Sequence, residues 1–142
     1  VTGAQGNGQH DLALKLERSL FNKRLQSYYM GLSSIIGGLD SDLRNDFVSR
    51  DEHLRRLGEL ARIITDAGLI FISAIDNLDD YELEMLKLLN SPYELVVINL
   101  GETELMEHEA DLELPPNPGH RESVQQIIDL LGKKEVILDY II

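Results

Sequence analysis

The sequence predicts a three-layer α/β domain, a parallel sheet of about five strands with helices on both faces. Three observations carry this. Short apolar runs alternate with amphipathic stretches along the whole chain. Two of the runs, Leu69-Ile70-Phe71-Ile72-Ser73-Ala74-Ile75 and Tyr93-Glu94-Leu95-Val96-Val97-Ile98-Asn99-Leu100, are largely continuous rather than alternating, as strands buried on both faces require. A glycine-rich segment, Gly3-Ala4-Gln5-Gly6-Asn7-Gly8-Gln9-His10, joins a strand end to a helix start.

Taken in order, Val1-Thr2 is the end of a first strand, and residues 11–22 suit an amphipathic helix with Leu12, Leu14, Leu16, Leu20 and Phe21 available to its buried side. Ser27-Tyr28-Tyr29-Met30 is a short strand, followed by a loop rich in Gly and Asp through Asp46. Leu54, Leu57, Leu60, Ala61 and Ile64 recur at helical spacing over 51–67, and Gly68 sits where a helix C-cap belongs. After the strand at 69–75, a helix is expected over 79–89, and after the strand at 93–100, a further strand at Leu112-Glu113-Leu114, stopped by Pro115-Pro116. Residues 121–131 read as the last helix, and the tail 135–142 as a strand or a packed extension.

With 142 residues the chain is expected to be one domain, 1–142. It opens at Val1 inside a strand, so the expectation is a fragment of a longer polypeptide, or a disordered or removed leader. There is no cysteine, hence no disulfide and no thiolate metal site, which fits a cytoplasmic setting. No apolar run approaches the ~20 residues of a membrane span. Residues 1–71 hold nine Lys/Arg and nine Asp/Glu, whereas residues 72–142 hold four and sixteen, which is the entire net charge of −12. An acidic half opposes nucleic acid and anionic membranes, which need a basic face. The simplest reading of it is a solvated surface.

A working phosphate loop has the pattern G-x-x-x-x-G-K-S/T between a strand and a helix. Its glycines let backbone N–H groups wrap phosphates, its lysine reaches the β- and γ-phosphates, and its hydroxyl binds Mg²⁺. Gly3 and Gly8 hold the two glycine positions, with Gly6 and Asn7 between them, but Gln9 stands at the lysine and His10 at the hydroxyl. Gln9 carries no charge, and an imidazole is a poor ligand for an ion that prefers oxygen. The backbone could still cradle an anion at the helix N-terminus. Asp11 already offers that terminus a negative charge.

Val1-Thr2-Gly3-Ala4-Gln5-Gly6-Asn7-Gly8 and Leu16-Glu17-Arg18-Ser19-Leu20-Phe21 resemble the adenylylsulfate kinase (APS kinase) family. So do Gly38-Leu39-Asp40-Ser41-Asp42-Leu43, the stretch Glu52-His53-Leu54-Arg55-Arg56-Leu57-Gly58-Glu59-Leu60-Ala61 and its continuation Asp66-Ala67-Gly68-Leu69-Ile70 to Ala74. The likeness covers roughly residues 1–75. It implies a P-loop NTPase-like fold and transfer of phosphate from ATP to the 3′-hydroxyl of adenylylsulfate. The departures from the family pattern are as informative. Where the family has D-G-D-N, with aspartates serving Mg²⁺ and the attacking hydroxyl, this chain reads Gly31-Leu32-Ser33-Ser34, so no carboxylate is left as base. Ile36 replaces an arginine and His53 an asparagine, while Phe47 and Arg50 correspond to the pocket's aromatic and one of its arginines. The family's basic lid becomes a short acidic segment with Glu102, Glu104, Glu107, Glu109, Asp111 and Glu113.

The expected function is therefore a degenerate APS-kinase-like domain without catalytic residues, acting as a structural, dimerising or nucleotide-sensing module of a sulfate-activation protein. The alternative is an active adenylylsulfate kinase. No resident metal is expected, and the only cofactor left open is weakly bound, Mg²⁺-dependent ATP. The resemblance suggests a sulfate adenylyltransferase-type partner or linked domain, and a homodimer. Other candidates have plainer readings. Arg50, Arg55 and Arg56 form the one dense basic spot, Arg55 and Arg62 share a helix face, and Asp51, Glu52 and Glu59 can pair with them. Asp76, Asp79 and Asp80, at the C-terminal end of a strand, suit a divalent ion or helix N-capping. His10, His53, His108 and His120 show no ligand spacing.

Overall fold

In the computed structural model, which describes residues 1–39 and 47–137, every strand pairing is parallel. The strands are β1 (Thr2–Gly3), β2 (Ser27–Tyr29), β3 (Ile70–Ile72), β4 (Ile75–Asp76), β5 (Ile98–Leu100) and β6 (Leu112–Leu114). Helices α1 (Gln9–Asn22), α2 (Leu32–Ser34), α3 (Phe47–Asp66), α4 (Asp80–Asn90) and α5 (His120–Lys133) connect them, with a π-helical turn over Ile35–Leu39. One ladder runs β4-β1-β5-β6 and the other β2-β3.

The expected continuous strand at 69–75 is divided because its two edges pair at different heights. On one edge Met30 N–H donates to the Ile72 carbonyl (3.0 Å) and Leu32 N–H to the Ala74 carbonyl (3.2 Å). On the other, the Val1 ammonium donates to the Ser73 carbonyl (2.8 Å), Ile75 N–H to Val1 (3.0 Å) and Asn77 N–H to Gly3 (2.8 Å). Segment 70–76 is thus one lane shared by β2 and β1, and six short strands fill the five expected lanes.

Helical periodicity decides which layer each helix joins. Leu12, Leu16 and Leu20 of α1 meet Ile127, Ile128 and Leu131 of α5 on one face of the sheet. Leu54 and Leu57 of α3 meet Leu83 and Leu86 of α4 on the other. Gly68, at φ 93°, ends α3 in the left-handed conformation its position suggested.

Three boundaries differ from expectation. The stretch expected as loop is helical over 32–39, because Leu32 and Ile35 bury themselves beside Leu54 despite the neighbouring Gly37-Gly38. Residues 40–46 lie outside the described residues, and with them most of the Gly38-to-Leu43 segment. The strand expected at 93–100 pairs only over Ile98–Leu100, since Val97 N–H is taken by the Asp111 carboxylate (2.7 Å). The tail does not start a strand. Val136 N–H returns to the Leu131 carbonyl (2.9 Å) and closes α5, and 138–142 lie outside the described residues.

Candidate functional site

The glycine-rich loop lies at the C-terminal end of β1, where α/β sheets bind ligands. Gly3 approaches β5 so closely that a Cβ there would stand 2.3 Å from the Leu100 carbonyl oxygen. Gly8, at φ 92°, is the N-cap of α1 and takes a conformation that side chains disfavour. Asn7 N–H donates to the Ala4 carbonyl (3.1 Å), and Asn7 Nδ2 to Leu100 (2.7 Å). Asn117 braces the loop from the far side. Its N–H donates to the Asn7 carbonyl (2.8 Å) and its Nδ2 to Gly6 (3.3 Å).

Gln9 turns inward. It is 2% exposed, and Nε2 donates to the Ala4 carbonyl at 2.9 Å, so the side chain at the lysine position ties the loop to itself. His10 is exposed, and its Nδ1 lies 2.7 Å from the Tyr29 hydroxyl, the two rings 5.4 Å apart between centroids. Burial, and then the carboxylates of Asp76, Glu17 and Asp11, push the Tyr29 hydroxyl up to about 12, so it stays protonated. Glu17 also accepts the Tyr29 N–H at 2.5 Å. A Cβ on Gly31 would come within 2.6 Å of that hydroxyl oxygen. Tyr29 therefore reaches the mouth of segment 31–34. Sequence reasoning did not single it out, although its position at the end of β2, just before Gly31, was a usable signal.

Arg50 is held by the opposite layer. Its Nε donates to Glu82 Oε2 (2.6 Å), while Nη2 donates to the Asp76 carbonyl (2.8 Å) and to Glu82 Oε1 (3.2 Å). Glu82 in turn completes a capping box with Asp79 at the start of α4. His53 is buried in α3 at 1% exposure. Phe47 opens α3, and its side chain lies outside the described residues. The structure thus places Gly3 at the end of β1, Gly6, Asn7 and Gly8 in the loop and Gln9 and His10 in the first turn of α1, with Arg50 at the end of β4.

The acidic segment after β5 is anchored by Asp80, whose carboxylate accepts N–H groups from Met106 (2.9 Å), Glu107 (3.0 Å) and His108 (3.0 Å) and lies 2.9 Å from His108 Nδ1. Partial burial pushes the Asp80 carboxyl up, but the bonds from Glu107, Met106 and His108 outweigh it and hold it well below the usual carboxylate range. Asp79 and Asp80 serve the helix cap and this segment. Among the described residues, no group of three or more His, Cys, Asp or Glu could hold a metal ion. Gln9, His10 and segment 31–34 offer no carboxylate to an Mg²⁺ shell, which leaves the Ser33 and Ser34 hydroxyls as the oxygens of that segment. Arg55 and Arg56 pair with Glu52 (2.6 and 3.0 Å) and Arg62 with Glu59 (3.0 Å), the salt-bridged face that their spacing suggested.

A five-lane parallel sheet, helices on both faces and a glycine loop leading from β1 into α1 define a P-loop NTPase-like nucleotide-binding fold. The chain matches the family model for adenylylsulphate kinase over residues 1–94, and it belongs to that family. It is 42% identical over 73 residues to the adenylyl-sulfate kinases of Shewanella halifaxensis and Shewanella oneidensis, a match covering 51% of this chain and 36% of those proteins. The match thus spans well under half the length of these curated relatives. Among solved structures it superposes on the APS kinase of Mycobacterium tuberculosis in complex with AMPPNP and APS with TM-score 0.81 at 21% identity, covering 92% of this chain and 94% of that one. A hexameric APS kinase from Thiobacillus denitrificans gives TM-score 0.78 at 22% identity, covering 96% of this chain and 29% of that one.

Proposed function

We propose that this chain is an APS-kinase-family domain that keeps the backbone of the phosphate loop without efficient phosphoryl transfer, serving as a structural or nucleotide-sensing module. The observation that carries this is the inward-facing Gln9, bonded to the Ala4 carbonyl at 2.9 Å where the reaction calls for a mobile cation. An anchored cation at transferring phosphoryl oxygens is worth ~10³–10⁵ in rate, by analogy with an arginine finger. The pairing of His10 with Tyr29 and of Arg50 with Glu82 supports the same reading. The setting that goes with it is the cytoplasm, within a longer polypeptide or beside a sulfate adenylyltransferase-type partner, with a homodimer as the assembly. Among the described residues no helix is long and apolar enough to cross a membrane.

A second reading, an active adenylylsulfate kinase, is favoured by the comparisons. The curated relatives are named adenylyl-sulfate kinases, and the superposed Mycobacterium protein was solved with AMPPNP and APS. Calorimetric titration with MgATP and then adenylylsulfate, followed by a coupled assay, separates the two. Under the first reading, turnover is absent, and the double substitution Gln9→Lys with His10→Ser leaves it absent, because segment 31–34 still lacks a base. Turnover in the unaltered chain, or a large gain from the double substitution, would overturn it.

A further inference from the structure

Two outer helices present matching rows to solvent. On α1, Leu14, Arg18 and Phe21 recur at i, i+4 and i+7, away from the buried Leu12, Leu16 and Leu20. Leu14 is 39% and Phe21 75% exposed, so neither joins the buried side that the sequence offered them to. On α4, Tyr81, Glu84 and Leu88 recur at i, i+3 and i+7, away from the buried Leu83 and Leu86, with Tyr81 66% and Leu88 74% exposed. Each row reads apolar, charged, apolar, and the central charges are opposite. Arg18 and Glu84 are both exposed, and among the described residues neither side chain has a hydrogen bond or an ion pair.

The spacings coincide when one row is reversed. From 14 to 18 to 21 the steps are four and three residues, and from 88 to 84 to 81 they are four and three again, about 6 Å and about 4.5 Å along each axis. We propose that this chain associates with a second copy of itself head to tail, α1 of one molecule packing antiparallel on α4 of the next. Leu14 then meets Leu88, Arg18 meets Glu84, and Phe21 meets Tyr81. The flanks agree. Helix rotation sets Glu17 on the same side as Lys87, and the exposed Lys23 and Arg24 after α1 approach the end of α4 where Asp80 holds the exposed Glu107. Charge across the chain points the same way. The contact sets the electrically neutral half, 1–71, against the half that carries the whole −12. Because α1 covers one face of the sheet and α4 the other, the two rows cannot meet in one two-fold interface. The contact is heterologous, so every added copy leaves one row of each kind open. It therefore goes beyond the homodimer of the function proposed above.

Sedimentation velocity tests it on the 142-residue chain. The interface is small, so the mean sedimentation coefficient is expected to rise between about 0.01 mM and about 0.5 mM. Two variants each close one row, Leu14→Ser with Phe21→Ser, and Tyr81→Ser with Leu88→Ser. Each alone should stay monomeric, and their equimolar mixture should give a one-to-one pair and nothing larger, which a two-fold contact does not do. Arg18→Glu should weaken association at least about tenfold, and adding Glu84→Arg to the same chain should restore it to within about threefold. That double variant keeps the parent's net charge, so its recovery reports the pair and not general repulsion. If a serine variant fails to fold, the charge reversal and its restoration decide. A parent that stays monomeric at about 0.5 mM, self-association of either row-closed variant, a mixture that forms no pair, or a charge reversal that is not restored would overturn the proposal.

Discussion

A buried amide at position 9 can serve the loop's own backbone in a way that a charged lysine cannot, since Gln9 Nε2 meets the Ala4 carbonyl in a pocket where it is 2% exposed. Removing it leaves that carbonyl with the Asn7 N–H alone. Gln9→Ala is therefore expected to cost about 0.5–1.5 kcal/mol in urea unfolding, the net worth of one hydrogen bond, where an exposed glutamine would cost nothing measurable. A change near zero would mean that the bond contributes nothing. Tyr29 gives a second residue-level expectation, in pH. Its folded value of about 12 lies above the ordinary 10.0, so the fold holds this proton more tightly than the unfolded chain does. The resulting stability is present below pH 10 and is lost as pH rises towards about 12. Tyr29→Phe should flatten the fall in Tm across that window, and a variant that follows the parent curve would remove Tyr29 from the account.

Among the elements, the start of α4 binds two parts of the molecule together. Asp79 caps the helix, while Asp80 holds the backbone of Met106, Glu107 and His108. Asp80→Ala is expected to raise amide exchange at those three positions at least tenfold and leave α1 unchanged. Acid should act in the same way. A carboxyl held below its ordinary 3.8 stabilises the fold above that pH, and the contribution drains away as pH falls below it. Protection of 106–108 that survives both the substitution and acid would show that Asp80 is incidental. The helices here were legible in advance because α1, α3, α4 and α5 each repeat apolar residues at three or four. Strand ends were less so. Nothing in Leu69–Ile75 signals that its edges change partner at Ser73, and the bond that shortens β5 comes from Asp111, 14 residues from Val97 along the chain. The helical turn at 32–39 was hidden by glycines whose local preference lost to the burial of Leu32 and Ile35.

Across the whole molecule, charge and site meet. The loop itself was readable, because Gly3, Gly8 and the missing lysine and hydroxyl are matters of residue type. What fills the vacated positions was not, because the inward turn of Gln9, the Tyr29–His10 contact and the Arg50–Glu82 pair depend on distances that sequence does not carry. The field around the site follows from composition alone. The chain carries −12, all of it from residues 72–142, and six of those acids lie between Gly101 and Leu114. Self-repulsion of this kind destabilises a compact state and repels phosphates. Raising ionic strength from about 0.01 M to about 0.15 M shortens the Debye length from about 30 Å to about 8 Å. Stability should then rise by about 1 kcal/mol, or about 3 °C in Tm. Any affinity for MgATP should hold or strengthen over the same range. A phosphate site built on a lysine behaves oppositely, because salt screens its attraction. Substituting Glu102, Glu104, Glu107 and Glu109 by Gln should remove most of the dependence and so assign it to this segment. Binding that weakens steeply with salt would instead reveal an effective cation at the loop, and would count against the proposed module without efficient phosphoryl transfer.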